Sequence, residues 1–387
     1  MPWKEIRPVD ERIRFIAAVQ EDPKGNFAQL CQRFGIHRSK GYKWVQRYNE
    51  FGPSGLEDRK PVARRCPHRT PDEVIDRILA MRKEHPYDGP KKLRLRLLKR
   101  EPQMALPAAS TIGEILDRYG LIRPRRARLR VPPHPSPLEP CQQPNDVWCV
   151  DFKGHFALGD GTRCYPLTIT DGASRYLIKC EALSEPREEP VRKHFELAFR
   201  EFGLPPRIRS DNGPPFASKA IGGLSRLSVW WVQLGILPER IEPGQPQQNG
   251  RHERMHRTLG EQTAHPPAAN LADQQRVFDR FRHDYNEERP HEALGQTPPA
   301  AHYEPSLTTL PERPRAPEYG TDFMVRQVNV GGCFSWQGTM LRLTPLLRNQ
   351  PIGFKQVDND EWEIYYGPLL IGLLLVRGGK PRIEPLR

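Results

Sequence analysis

The sequence predicts a multidomain chain: all-α modules over its first third, an α/β core, and a small all-β domain at its C-terminal end. Three observations carry that prediction. Charge is segregated: residues 1–140 hold 30 Lys and Arg against 17 Asp and Glu, the whole net charge of +13, while residues 141–387 balance at 30 and 30. Proline, at 42 residues, clusters over Arg123–Pro144 and Pro298–Pro317, where it cannot feed a helix interior or central strand and reads as linker. Apolar periodicity changes from helical to strand-like at Val147. A pI near 9.5 with its excess in one third suggests a polyanionic partner for that third; solubility is the plainer reading of the total.

Each N-terminal element follows from local pattern. Asp10–Gln20 is loosely amphipathic through Ile13, Phe15, Ile16, Ala17 and Val19. Asn26 can cap a second helix with Leu30, Cys31 and Phe34 on one face, and Gly35 ends it. A third helix is expected to turn Tyr42, Val45 and Tyr48 inward and to present Arg38, Lys40, Lys43 and Arg47 outward. Helix, short Gly turn and basic helix is the helix-turn-helix plan, which sets its last helix in the DNA major groove. A three-helix bundle with a solvated basic face is the alternative. After a basic connector, Thr70-Pro71-Asp72-Glu73 is a helix start, Gly89–Arg100 brings Lys91 and Lys92 on a basic helix, and Ser110–Gly120 reads as a third. These resemble a second helix-turn-helix. Arg123, Arg125, Arg126, Arg128 and Arg130 then precede the proline-rich stretch, as a spacer or as contacts to a phosphate backbone.

From Val147 the expected order is three antiparallel strands, a helix from about Val191 to Phe202, a strand at Arg207–Ser210 and a later helix. Strands Val147–Phe152, Tyr165–Thr170 and Tyr176–Cys180 are separated by Gly159-Asp160-Gly161 and Asp171–Arg175. That is the ribonuclease-H-like pattern. It lets Asp151 and Asp211 lie side by side with Glu253 on a helix packed across them. Phosphodiester cleavage needs a weak nucleophile activated and charge stabilised on two in-line oxygens, which two divalent ions about 3.5–4 Å apart accomplish. Clustered Asp and Glu suit Mg²⁺ or Mn²⁺. Singly, the acids have ordinary readings: a strand-end acid, an Asp-Asn-Gly turn, and a helix-surface pair of Glu253 with Arg257.

Their flanks carry a resemblance. Asp171-Gly172-Ala173-Ser174-Arg175, Ser210-Asp211-Asn212-Gly213, Gly250–Leu259 around Glu253, Tyr285–His291 and Gly52–Arg59 resemble motifs of insertion-sequence transposases of the retroviral-integrase superfamily, over most of residues 10–303. The resemblance implies Asp151, Asp211 and Glu253 as catalytic metal-binding acids, with Asp151 bridging two Mg²⁺ ions. It places Arg254, His256 and Arg257 near the scissile DNA end, with a structural role as the alternative for His256. It further implies terminal inverted repeats and target DNA as substrates, 3′-end cleavage then strand transfer, a homo-oligomer on DNA, and a place in the bacterial cytoplasm at the nucleoid. Two departures stand out. Asp211 and Glu253 are 42 positions apart, longer than is commonest, with the excess around Gly222–Trp231; and the N-terminal His/Cys zinc module of retroviral integrases is missing.

Residues 318–387 alternate over Met324–Val328 and Trp362–Tyr366, with turns at Gly331-Gly332 and Asp358–Asp360, and are expected to form a small β-barrel. The apolar run Leu369–Val376 is too short for a membrane span and reads as buried strand. Seven scattered cysteines without a CxxC pair suit neither a disulfide framework nor a zinc ribbon; Cys66-Pro67-His68 looks like half a metal site but lacks a second half, and buried or incidental residues are the plainer reading. The division expected is 1–60 and 70–122 helix-turn-helix, 123–144 linker, 145–303 catalytic core, 304–317 linker and 318–387 β domain. Two other functions fit parts of the chain: a catalytically silent DNA-binding regulator, which has no need of three acids, and a ribonuclease-H-type nuclease, which leaves the N-terminal modules unexplained.

Overall fold

The computed structural model describes residues 8–58, 69–122, 138, 140–242, 245, 248 and 250–386. The Arg123–Arg130 cations and Cys66-Pro67-His68 lie outside the described residues. The chain divides into two compact units, Met1–Arg69 and Thr70–Arg387.

In the first unit, α1 (Pro8–Glu21), α2 (Phe27–Arg33) and α3 (Arg38–Phe51) close on Phe15, Ile16, Cys31 and Leu56. Asn26 caps α2 as expected, its side chain accepting from the amides of Ala28 and Gln29. Of the residues expected inward on α3, Val45 and Tyr48 pack against this core and Tyr42 does not. Tyr42 is exposed, with its ring stacked on Phe27, and Gly41 and Trp44 turn inward instead. Gly41 makes this possible: a Cβ there would stand 2.7 Å from Cys31 Sγ, so α3 approaches α2 more closely than a side chain permits.

The second unit begins with α4 (Asp72–Glu84), α5 (Pro90–Arg100) and α6 (Ala109–Arg118), packed on Ile78, Leu93, Leu97, Ile112 and Ile115. The core sheet follows: β1 (Trp148–Phe152), β2 (Phe156–Ala157), β3 (Arg163–Asp171), β4 (Leu177–Leu183), β5 (Arg207–Ser210) and β6 (Leu237–Arg240). β1 pairs antiparallel with β3 and parallel with β5; β5 pairs parallel with β6, and β4 extends the sheet from β3. This is the ribonuclease-H-like order. α7 (Glu188–Phe202) and α8 (Arg226–Gln233) bury Phe195, Phe199, Leu227 and Trp231 against Trp148, Val150 and Ile208 on one face. α9 (Gly250–Thr263) and α10 (Leu271–His283) bury Met255, Leu259, Phe278 and Phe281 on the other.

α5 is tied to the segment after α10 by ions rather than by apolar contact. Arg96 Nε donates to Asp88 at 2.8 Å and its Nη1 lies 2.8 Å from Asp284, while Arg289 Nη1 stands 3.1 Å from Asp88. The Arg289 contact is an ion pair without hydrogen-bond alignment. Burial pushes Asp88 up, but Arg289 and Arg96 outweigh it and leave its carboxyl below the usual range.

Residues 318–387 do not form the expected barrel. β7 (Met324–Gln327), β10 (Pro351–Asp358), β11 (Glu361–Tyr366), β12 (Leu369–Arg377) and β13 (Lys380–Pro385) make an open antiparallel sheet in the order β13-β12-β11-β10-β7. β8 (Cys333–Trp336) and β9 (Thr339–Arg342) form a separate hairpin. A barrel needs its edge strands to pair, and β7 and β13 do not. The sheet instead buries its apolar side with the hairpin and with Leu224, Val229 and Val232 at α8. Among the described residues no helix is long and apolar enough to cross a membrane.

Candidate catalytic site

Strand alternation decides which side chains meet. Trp148 and Val150 of β1 face α7, so Cys149 and Asp151 face α9. In the parallel β1–β5 pair Trp148 stands opposite Ile208 and Cys149 opposite Arg209; continuing that register sets Asp211, the residue after β5, beside Asp151 on the same face. Glu253 lies in the first turn of α9, on the exposed side of the helix that crosses this face.

The electrostatics agree with this placement. Burial is the main force pushing the Asp151 carboxyl up to about 7, and the charges of Asp211 and Glu253 add to it, against the amide of Phe152 and the nearby Lys153. Burial likewise raises Asp211. Asp211 Oδ1 is buried and has no hydrogen-bond partner, a costly arrangement for an acceptor unless something else satisfies it. Hard carboxylate oxygens under mutual repulsion, one of them orphaned, suit a divalent cation. Among the described residues no three such side chains already stand as a ligand cluster, so the acids share one field without being drawn together.

α9 is fixed to the sheet through two buried histidines. His252 lies between Thr170 Oγ1 at 2.7 Å and Thr168 Oγ1 at 2.8 Å; His256 Nε2 lies 2.6 Å from Thr168 Oγ1, which also donates to the Asp151 carbonyl at 3.1 Å. One proton assignment satisfies these partners: Nε2 protonated on both rings, with Thr170 donating to His252 Nδ1. Burial holds His252 down to about 3 and His256 down to about 2, so both are neutral. The 3.7 Å approach of His256 Nδ1 to Asp151 is therefore not an ion pair.

The His256 ring is buried and committed to Thr168, the structural alternative to its expected place at the DNA end. Arg254 and Arg257 are exposed on α9. Arg38, Lys40 and Lys43 are exposed on α3, but Arg47 lies over Trp44 and donates to the Glu57 carbonyl at 2.8 Å, a structural use that sequence pattern did not anticipate. The two lysines of α5 are also divided. Lys91 is exposed near Glu292, whereas Lys92 is half-buried, brought down to about 8 by burial and then by Arg289. Lys153 was missed as a site residue; lying two positions beyond Asp151, it was within reach of strand alternation.

The family described as "Integrase core domain" matches residues 142–246, and a second family so described matches 234–299. Residues 142–299 thus match integrase core domains. Ahead of the integrase core, a "Helix-turn-helix domain" matches 11–65 and a "Homeodomain-like domain" 40–116. The 31.7 kDa protein of insertion element IS407 from Burkholderia multivorans is 30% identical over 180 residues, covering 46% of this chain and 62% of that protein. The 39.2 kDa protein of insertion element IS476 from Xanthomonas euvesicatoria is 31% identical over 180 residues, 46% of this chain and 50% of that one. The matched region thus spans between half and two thirds of those relatives. A Pol polyprotein of feline endogenous virus ECE1 is 28% identical over 225 residues, 54% of this chain and 20% of the polyprotein.

Proposed function

We propose that this protein is the transposase of an insertion sequence. It binds the terminal inverted repeats of its element and, with a divalent metal, cleaves their 3′ ends and joins them to target DNA. The register that stands Asp211 beside Asp151, under the helix bearing Glu253, carries the reading. Asp151, Asp211 and Glu253 would hold Mg²⁺, with Mn²⁺ as substitute and two ions as the expected complement. Bound there, the metal supplies Lewis-acid charge to the attacking and leaving oxygens of the phosphodiester. The protein's own side chains orient the DNA. Arg254 and Arg257 place cations beside the acids to clamp phosphates, and Arg38, Lys40 and Lys43 line the exposed side of α3 for duplex binding. Thr168, His252 and His256 hold α9 against β3 so that Glu253 and Asp151 keep their relation. Two element ends joined together require at least two protomers on DNA.

Labelled DNA carrying the element's ends, Mg²⁺, and wild type beside Glu253→Gln test this. Cleavage and joining by wild type alone support the transposase. Binding by both with cutting by neither, in Mg²⁺ or Mn²⁺, would favour a DNA-binding regulator.

A further inference from the structure

The turn between β3 and β4 carries a charge that nothing on it answers. Asp171 turns its carboxylate inward: Oδ1 accepts from the Asn145 amide at 2.7 Å, and Oδ2 from the Ser174 amide and hydroxyl at 2.7 and 2.6 Å. Arg175, four residues on, is left without that partner. It is half-buried and sits at φ 66°, a left-handed conformation that a bulky residue adopts only when its surroundings impose it. Arg251 of α9 donates to the Gly172 carbonyl of the same turn at 2.8 Å, which brings the N-terminal end of α9 against it. Arg254 follows three positions later, on the same side of the helix. The guanidinium groups of Arg175 and Arg254 form no hydrogen bond or ion pair with any described residue, and that of Arg251 bonds only that carbonyl. Burial, then the charges of Arg251 and Arg254, lower the pKa of Arg175. Three guanidinium groups within one another's field are costly for the free protein and are favoured by an anion between them.

We propose that Arg175, Arg251 and Arg254 form a phosphate site for the DNA strand leading to the acids. The proposal rests on the transposase reading and adds the residues that grip the strand. Register gives the spacing. Asp171 pairs with Trp148, and Asp151 lies three residues further along β1, about 10 Å away. At roughly 3.4 Å of rise per nucleotide, the site meets the backbone a few nucleotides from the reacting phosphate. Arg175 stands outside the cations expected from sequence because it belongs to no basic run, and Arg251 because it precedes the stretch Arg254–Arg257 singled out there. The fold alone brings them to Arg254.

The test is a salt titration of binding to a labelled element-end duplex, with every protein carrying Asp151→Asn to stop turnover. Arg175→Asn keeps a residue that tolerates the left-handed turn, and Arg254→Gln lies on an exposed helix face. Arg192→Gln, on α7 across the sheet, is the control. Each site variant is expected to weaken binding to any DNA sequence and to reduce the slope of log K against log salt by about 0.9 for each phosphate no longer neutralised, with the control unchanged. Slopes equal to the parent's in both folded variants would overturn the site. If only Arg175→Asn fails to fold, Arg254→Gln decides alone. Inorganic phosphate at constant ionic strength should leave the slope in place; abolition by free phosphate would overturn the assignment to a DNA strand. A parent that binds no DNA would bring down this site and the transposase reading together, whereas parental slopes in the variants would remove this site only.

Discussion

Asp151 holds a proton that an unfolded chain would have released. Its folded pKa of about 7 lies above the ordinary 3.8, so between those values the folded state binds more protons than the unfolded one. Stability from this group is present below about pH 4 and is lost as pH rises through 7. Asp151→Asn is therefore expected to raise the melting temperature at pH 8 in chelator, by up to a few kcal/mol in stability, and to leave it unchanged at pH 4. Calorimetry at the two pH values checks this; equal shifts at both would show that the carboxylate is not under strain. The same substitution should abolish cleavage and spare DNA binding, as read by gel shift and end-cleavage assay; loss of both would contradict a division between binding and chemistry. The side-by-side placement of Asp151 and Asp211 was legible from the strand order and the flanking motifs taken together, since a strand-end acid and an Asp-Asn-Gly turn are each ordinary alone. The true setting of His256 was not, because its partners Thr168 and Asp151 lie about a hundred positions back in the chain. Arg47 was misread for a similar reason: a basic helical face does not show which cation folds back on Trp44.

At the scale of elements, close approach and buried charge matter more than propensity. Gly41→Val would drive methyl groups into Cys31 and Phe15, and should cost the first unit about 1–3 kcal/mol, read by thermal unfolding of the full chain. Arg96→Ala would leave Asp88 and Asp284 facing each other without their shared cation; about 3–5 kcal/mol is expected in urea unfolding. Unchanged stability would mean that Arg289 alone suffices for Asp88. Helix boundaries and the β5 strand were legible from periodicity and caps. The docking of α5 was not, since Lys91 through Arg100 read as a free basic helix until Asp284 and Glu288, nearly two hundred positions on, are brought against Arg96.

At the scale of the molecule, the C-terminal sheet is seated on the integrase core. The stretch 304–317, expected as a loose linker, is strapped along it: the Ser306 amide donates to the Phe202 carbonyl at 2.8 Å, Leu204 to Thr308 at 2.7 Å, and Arg315 to Gln233 at 3.0 Å. Alternation in residues 318–387 predicted strands and could not tell a closed barrel from an open sheet, because closure depends on which edges meet. Val232→Asp should lower the melting temperature of the whole second unit in one cooperative transition; a separate early transition for the sheet would show independent folding. The unusual 42-residue interval between Asp211 and Glu253 has a use here. Its Ile221, Leu224, Val229 and Val232 are the footing on which residues of β10, β11 and β12 rest. Interval and sheet are then a matched pair: trimming the interval would leave the sheet without a seat, and grafting the sheet onto a core with a shorter interval would require transplanting the interval with it.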